Sequence, residues 1–559
     1  MKKISIGLAQ TKSEFFCISK KIKKNNLYWL PLNLEMYIFY KKKKINFIDP
    51  RKLFVTKDHL NSIKFVEKKL KHINFKKDLE FEALSIRFKT ILRKYINSLI
   101  FFIILIENLK KKKIINNFFV SGWDSFNFES KKNNYFISKI CNHIYKKKKT
   151  IAINSLEKKE EYYYNIYALN KLNLNKKKYI VLNNLGYNFF RIVKFFFKKK
   201  IRLLILEENK INNLKRIIYK YFGVSFFNPV KKKIKKIIIY KNIKFNLKFR
   251  KFSLTKLIYS RNKKIFSELM DLKEKYKTIN KWLSKHKPIS FICNHSRGLT
   301  GMVAENLNKK KIKTILISHG TISNGNTIIE KKYNKVISED LLNSSYNIYC
   351  NQTKISQSVT KKLNPNIKEY NSGNIIFTQI NKNYEKKFIV YAVTARDFLN
   401  LQFCGIETFY EIYENFNFLN QIQKKIKHKI VVNLHPNIEH LKNDLENIFK
   451  NINFTNNKIS ELLSKSLMLI SFSSTVIEEA LVNKIPVILF DPWKRYKHCD
   501  AEKNYQIRNC SVYYANTRKN FLKYVNTILK SDKIFFNYSI NNNSWNRNLE
   551  NLFSHELKF

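Results

Sequence analysis

Short apolar runs alternate with amphipathic stretches along most of the chain, and this alternation sets the expected elements. Residues 179–182 read as a strand, 188–197 as a helix with its apolar positions on one face, and 201–206 as a second strand, which together make one βαβ unit. The pattern returns as a strand over 289–293, a helix over 299–307 and a strand over 314–317 that runs into His319-Gly320. A third unit follows, with a strand over 346–350, a helix to Leu363 and the turn Asn371-Ser372-Gly373-Asn374. A polar, Lys-rich stretch over 381–387 reads as a linker. Beyond it come a strand over 388–393, a helix over 407–425, a strand over 430–434, a strand over 467–470, a helix over 476–482 and a strand over 486–490, with terminal helices over 521–529 and 545–557.

Strands and helices alternating at these lengths predict parallel sheets covered by helices. The expected fold class is α/β, with two Rossmann-like domains facing a cleft and a helix-rich N-terminal region that lacks a clear alternation. The expected boundaries are a first domain over 1–375, with Rossmann-like units from about 178, a linker over 376–387, a second domain over 388–535 and a terminal helix over 536–559. No repeat of fixed period is visible, which argues against solenoids and propellers.

At 559 residues the chain exceeds what one hydrophobic core organises, and 44% hydrophobic and 14% aromatic content excludes a disordered polymer. The formal charge of +67 points first to nucleic acid or anionic membrane. Only 10 Gly and 8 Pro stand beside abundant Lys, Asn, Ile, Phe and Tyr, however, which is the signature of A/T-rich codons. The Lys runs at 41–44, 110–113, 146–149 and 231–233 are dispersed, so they read as solvated surface. Seven scattered Cys without a CxxC pair argue against a disulfide framework or structural zinc, and fit a reducing cytoplasm. The first ten residues are too short and too interrupted by charge for a signal-peptide core. The most apolar run, 96–106, is about half the ~20 residues of a membrane span and is expected to be a buried helix. The expected location is cytoplasmic, with peripheral contact at the inner face of an anionic membrane.

In doubly wound sheets, ligands bind past the carboxyl ends of the strands. Six of the ten Gly (298, 301, 320, 325, 373 and 405) fall between 298 and 405, where they suggest positive φ or close backbone approach. After the strand at 467–470 come Ser471-Phe472-Ser473-Ser474-Thr475 and then a helix, so Ser473, Ser474 and Thr475 can donate to a phosphate while Glu479, one turn on, reaches a ribose. The same residues also fit an ordinary Ser/Thr cap with Glu in the first turn. His435 stands at a strand end before Pro436, suited to a phosphate or a leaving oxygen, or to a structural role. Arg396 offers a guanidinium fork at a third strand end. On the N-terminal side, Asn294-His295-Ser296-Arg297-Gly298 and Ser318-His319-Gly320-Thr321 each follow a strand, which makes His295, Arg297 and Gly320 candidate substrate contacts.

The His-Pro dipeptide at 435–436, the Ser-Ser segment running into Glu479-Ala480 and the His-Gly at 319–320 resemble the GT-B glycosyltransferases of bacterial surface-polysaccharide synthesis. The similar groups are capsule Kdo transferases, bacterial sialyltransferases and CDP-glycerol glycerophosphotransferases, and the resemblance spans about 285–495. It implies that His435, Ser473 and Ser474 contact the phosphate of a cytidine-activated donor and Glu479 its ribose. Ser318 stands where the family commonly has Gln, and Ile375 where it has Pro after Gly-Asn, so the 372–374 turn reads as a hinge.

The expected activity is therefore transfer of a sugar or related group from a CMP- or CDP-activated donor to a glycan or lipid-linked acceptor. Leaving-group charge would be met by Arg396, His435 and the amides near Ser474, with His319 or Asp124 as general base. No Asp-x-Asp is present, and neither a metal nor a cofactor is expected. Two other readings remain open. One is a UDP-sugar 2-epimerase of the same architecture, and the other a basic nucleic-acid-binding or scaffolding protein that rests on charge alone, although no specific nucleic acid is expected.

Overall fold

The computed structural model describes the chain from Lys3 to Ser554 apart from short stretches, the longer being 72–79, 122–135, 154–162, 169–177, 184–188, 207–212, 234–246, 318–323, most of 329–345, 395–406 and 500–509. The expected residues Asp124, His319, Gly320, Arg396 and Gly405 lie outside the described residues.

Three parallel sheets organise the described chain. The first carries β1 (Ile4–Ala9), β2 (Leu27–Pro31), β3 (Ile115–Ser121) and β4 (Thr150–Ile153) in the order β2-β1-β3-β4. The second carries β5 (Tyr179–Asn183), β6 (Arg202–Leu206), β7 (Val224–Phe226), β8 (Ser290–Cys293), β9 (Lys313–Ile317), β10 (Ile348–Asn351) and β11 (Glu369–Asn371) in the order β11-β10-β9-β8-β5-β6-β7. The third carries β12 (Phe388–Ala392), β13 (Lys429–Asn433), β14 (Asn453–Thr455), β15 (Ser466–Ser471), β16 (Val487–Phe490) and β17 (Val512–Ala515) in the order β14-β13-β12-β15-β16-β17.

Counted from its own first strand, the third sheet runs 3-2-1-4-5-6, the doubly wound Rossmann order, and the second sheet has the same order with one strand added. Central strands such as β5, β8 and β16 are buried along their whole length, as strands covered on both faces must be. The expectation of an α/β fold with two Rossmann-like parallel sheets holds. The N-terminal region is not simply helical, because it closes a sheet of its own.

The 96–106 run lies inside a long helix, Glu82–Lys112, and Phe101 to Ile106 are buried. This helix crosses the helix Gly298–Lys309 of the second sheet, where Glu305 accepts the N–H groups of Ala83 (2.6 Å) and Glu82 (3.2 Å) and so caps the long helix at its positive end. At the other side of the first sheet, Asp444 of the third-sheet helix Lys442–Ile448 accepts from Lys42 (2.6 Å) and Lys12 (2.9 Å). The first sheet therefore touches both Rossmann-like sheets.

The chain crosses between those two sheets just after Ser372-Gly373-Asn374. Gly373 has φ +67°, and Gln352 Oε1 accepts the N–H groups of Ile375 and Ile376 at 3.1 and 3.0 Å. The terminal helix Trp545–Leu552 returns to the second sheet, burying Leu549, Leu552 and Phe553 in the same core as Ile192 and Phe196. Arg191 donates to the carbonyls of Ile375 (2.7 Å) and Phe377 (2.6 Å), and its guanidinium lies 4.9 Å from the centre of the Trp545 ring.

Candidate functional site

In each Rossmann-ordered sheet the strand order reverses between the first and fourth strands, and polar groups gather there. In the third sheet this point lies between β12 and β15. Past β12, the Thr394 hydroxyl donates to the Ser473 carbonyl, and Ser471 Oγ donates to the Ala392 carbonyl at 3.0 Å. These two bonds tie the exits of adjacent strands together and fix the backbone that presents Ser473 and Ser474. Ser474 Oγ accepts from the Val476 N–H at 3.3 Å, just ahead of the helix Val476–Val482, whose N-cap residue Thr475 makes no side-chain cap. β13 pairs with the other edge of β12, with Ala392 opposite Asn433, so His435 emerges from the neighbouring strand end. Burial pushes the His435 imidazole below its ordinary value, and Glu439 opposes the shift.

In the second sheet the reversal lies between β5 and β8. Asn183 closes β5, and its side-chain nitrogen stands 3.4 Å from Nε2 of His295, which follows β8. The Arg297 backbone N–H donates to His295 Nδ1 at 3.2 Å, and the Thr300 hydroxyl is 3.1 Å from the same nitrogen. Because Nδ1 accepts, a neutral ring carries its proton on Nε2, and the Asn183 amide then meets it through its oxygen, with its two ends exchanged, since –NH2 and Nε2–H are both donors. Tyr346 anchors the loop by donating to the His295 carbonyl at 3.1 Å. The Arg297 side chain is exposed, and Gly298, at φ +47°, starts the following helix.

Glu479 occupies a different setting from the ribose contact expected of it. Only 4% exposed, it accepts the Thr378 N–H at 3.2 Å, while Asn483 accepts from Ile380 (3.1 Å) and donates to the Thr378 carbonyl (2.7 Å). Burial raises its carboxyl, and the Thr378 hydrogen bond and the Arg191 charge pull the other way. Arg191 is itself lowered to about 10 by burial, opposed by Glu479. This face of the helix is thus covered by the inter-sheet crossing. The preceding residue, Glu478, accepts from the Thr353 hydroxyl across the same junction and lies 3.5 Å from buried His498. Asn324–Gly325 also pairs with Tyr496–Lys497, a two-residue antiparallel bridge between the sheets' loops.

The structure therefore places Ser473, Ser474, Thr475 and His435 on adjacent strand ends of one sheet, and His295 and Arg297 at the corresponding point of the other. It turns Glu479 into the junction. Asn183, Thr394 and Thr300 were not singled out from sequence. Asn183 and Thr394 are polar residues at strand ends, so the same rule that selected His435 would have found them. Among the described residues no cluster of three or more His, Cys, Asp or Glu side chains could hold a metal ion.

No known protein-family profile matches the chain. No curated protein matches it in sequence. Among solved structures it is similar to the UDP-GlcNAc 2-epimerase of Methanocaldococcus jannaschii, at 14% identity and a TM-score of 0.41 over 68% of this chain and 99% of that one. It is also similar to the UDP-GlcNAc-bound 2-epimerase of Neisseria meningitidis, at 12% identity and a TM-score of 0.35 over 63% and 91%. The wall teichoic acid polymerase TagF aligns at 13% identity and a TM-score of 0.36 over 68% and 88%. Likeness at this level decides nothing about chemistry, and the fold stands on the chain's own strand order.

Proposed function

We propose that the protein is an enzyme acting on a nucleotide-activated sugar, and specifically that it transfers the sugar or a related group from a cytidine-activated donor to a glycan acceptor. The observation that carries the reading is the pair of strand-order reversals, each furnished with neutral hydrogen-bonding side chains: Asn183 and His295 on one sheet, Thr394, Ser473 and Ser474 with neighbouring His435 on the other. One such point holds a nucleotide in doubly wound folds; two, one on each sheet, suit a donor and an acceptor.

In this reading the donor phosphate lies against Ser473, Ser474 and Thr475, with His435 and Arg396 meeting the charge that develops on the leaving oxygen. His295 and Arg297 serve the acceptor side, with Gly320 as the remaining expected contact. His319 or Asp124 takes the acceptor proton.

Thermal-shift and calorimetric titration with CMP, CDP, UDP and GDP tests the proposal. The expected result is a response to the cytidine nucleotides, weakened about tenfold in each of His435→Ala and Ser474→Ala, the scale of one charge-assisted hydrogen bond. A response to UDP alone would replace the transferase by a 2-epimerase of free UDP-sugar. Unchanged affinity in both variants, or no response to any nucleotide, would remove the site assignment.

A further inference from the structure

The helix Asn213–Tyr221 covers the β7 edge of the second sheet, and its two faces differ sharply. The inner face packs through Arg216, whose guanidinium lies 5.4 Å from the centre of the Phe226 ring, and through Tyr219, whose ring is 6.2 Å from Phe226 and 6.0 Å from Phe190. The outer face is apolar. Leu214 is 66% exposed, Ile217 66%, Ile218 42% and Tyr221 78%. These positions are i, i+3, i+4 and i+7, so they form one continuous stripe along the helix. Phe197, 44% exposed at the end of the adjacent helix Phe189–Lys198, extends it, its ring lying 5.2 Å from that of Phe222.

Along the two helices the charge beside the stripe is of one sign. At 100° per residue, Lys215 and Lys220 fall on opposite borders of the apolar arc, and both are exposed. Lys194, Lys198 and Lys200 are exposed around Phe197, while Lys199 pairs with Glu550 at 3.0 Å. Neither helix contains an acidic residue.

We infer that this ridge is a docking surface for the face of an anionic lipid bilayer. A monomeric soluble protein seldom leaves a contiguous apolar stripe in water, and apolar side chains bordered by lysines are what an interfacial helix presents. The apolar groups enter the acyl boundary while the ammonium groups stay at the phosphates. The formal charge of +67 adds a long-range attraction to the same surface. A second copy of the chain is the poorer occupant. Two such faces would bring lysine borders against lysine borders, and five side chains fall well short of the ~800 Å² per partner that a stable interface buries. No described helix is long and apolar enough to cross a membrane, so the contact is with the bilayer surface. The inference does not depend on the nucleotide site.

The test is co-sedimentation of the full chain with vesicles of phosphatidylcholine and phosphatidylglycerol in equal parts, at about 0.3 M NaCl, where the Debye length is short enough to suppress diffuse attraction. The double substitution Ile217→Ser with Tyr221→Ser leaves the net charge unchanged and is expected to lower the partition coefficient about tenfold, with the melting temperature preserved because both side chains are exposed. Separately, Tyr221→Trp is expected to show a blue-shifted emission on adding these vesicles and none with phosphatidylcholine alone. Wild-type partitioning of the double variant, or an unshifted Tyr221→Trp emission, would overturn the proposal. So would a wild-type dimer in light scattering that the same double substitution dissolves.

Discussion

Burial pushes the His435 imidazole below 6.5 against the opposing charge of Glu439, so at neutral pH the free protein holds this ring uncharged. A nucleoside phosphate beside it favours the imidazolium, which raises the value in the complex. Protons are then taken up on binding, and by linkage affinity rises as pH falls between the bound and free values. Cytidine nucleotide affinity is therefore expected to increase from pH 8 toward pH 6, with a steeper slope for the wild type than for His435→Gln. The comparison with the variant removes the phosphate's own titration. Equal slopes in calorimetry would show that the ring does not face the phosphate. His295 is a contrasting case, since its Nδ1 is engaged by the Arg297 N–H and the ring is held as a donor through Nε2.

Where the helix Gly298–Lys309 crosses Glu82–Lys112, a methyl group on Gly301 would stand 2.4 Å from the Ser296 carbonyl oxygen and 2.5 Å from Ala83 Cβ. Gly→Ala inside a helix ordinarily stabilises by about 1 kcal/mol. Here the overlap reverses the sign, and Gly301→Ala is expected to destabilise by about 1–3 kcal/mol, read as a lower melting temperature. Adding Ala83→Gly does not restore it, because the carbonyl contact remains. The scarcity of glycine made this position legible in sequence, as it did Gly298 and Gly373 with their positive φ. The inner strands of the two Rossmann-like sheets were equally legible as short apolar runs, whereas the edge strands β7, β11, β14 and β17 were not. The first sheet was not. Its neighbours β1 and β3 pair Ile6 with Phe118 across more than a hundred residues, which leaves no local signal. Around Phe101 to Ile106 the long helix is buried on every side, which erases the 3.6-residue period. Glu479 shows a related limit: sequence shows that it lies on the first turn of a short helix, but not that the inter-sheet crossing covers that face.

The first sheet braces the other two against each other, and its two attachments differ in chemistry. Toward the second sheet it is held by the buried helix crossing capped by Glu305. Toward the third it is held by Asp444 between Lys42 and Lys12, by the edge-to-face pair Tyr37 and Tyr413 at 5.3 Å, and by His440 at 3.9 Å from Glu35. Burial raises the Asp444 carboxyl, but the hydrogen bonds and charges of Lys42 and Lys12 outweigh it and hold the group below the ordinary carboxylate range. A carboxylate depressed on folding contributes stability above its unfolded pKa and loses it as pH falls through the folded value. This attachment is therefore at full strength at neutral pH and weakens below about pH 4, while the helix crossing, held mainly by packing, persists. Both lysines are partly exposed, so the contribution is about 1 kcal/mol and falls with salt. Hydrogen exchange in the helix Leu34–Lys42 is expected to quicken at low pH before exchange in Glu82–Lys112 does. Asp444→Asn is expected to show the faster Leu34–Lys42 exchange already at pH 7 and to lose the pH dependence. Exchange in Asp444→Asn matching the wild type at both pH values would mean that the aromatic contact alone holds the third sheet in place.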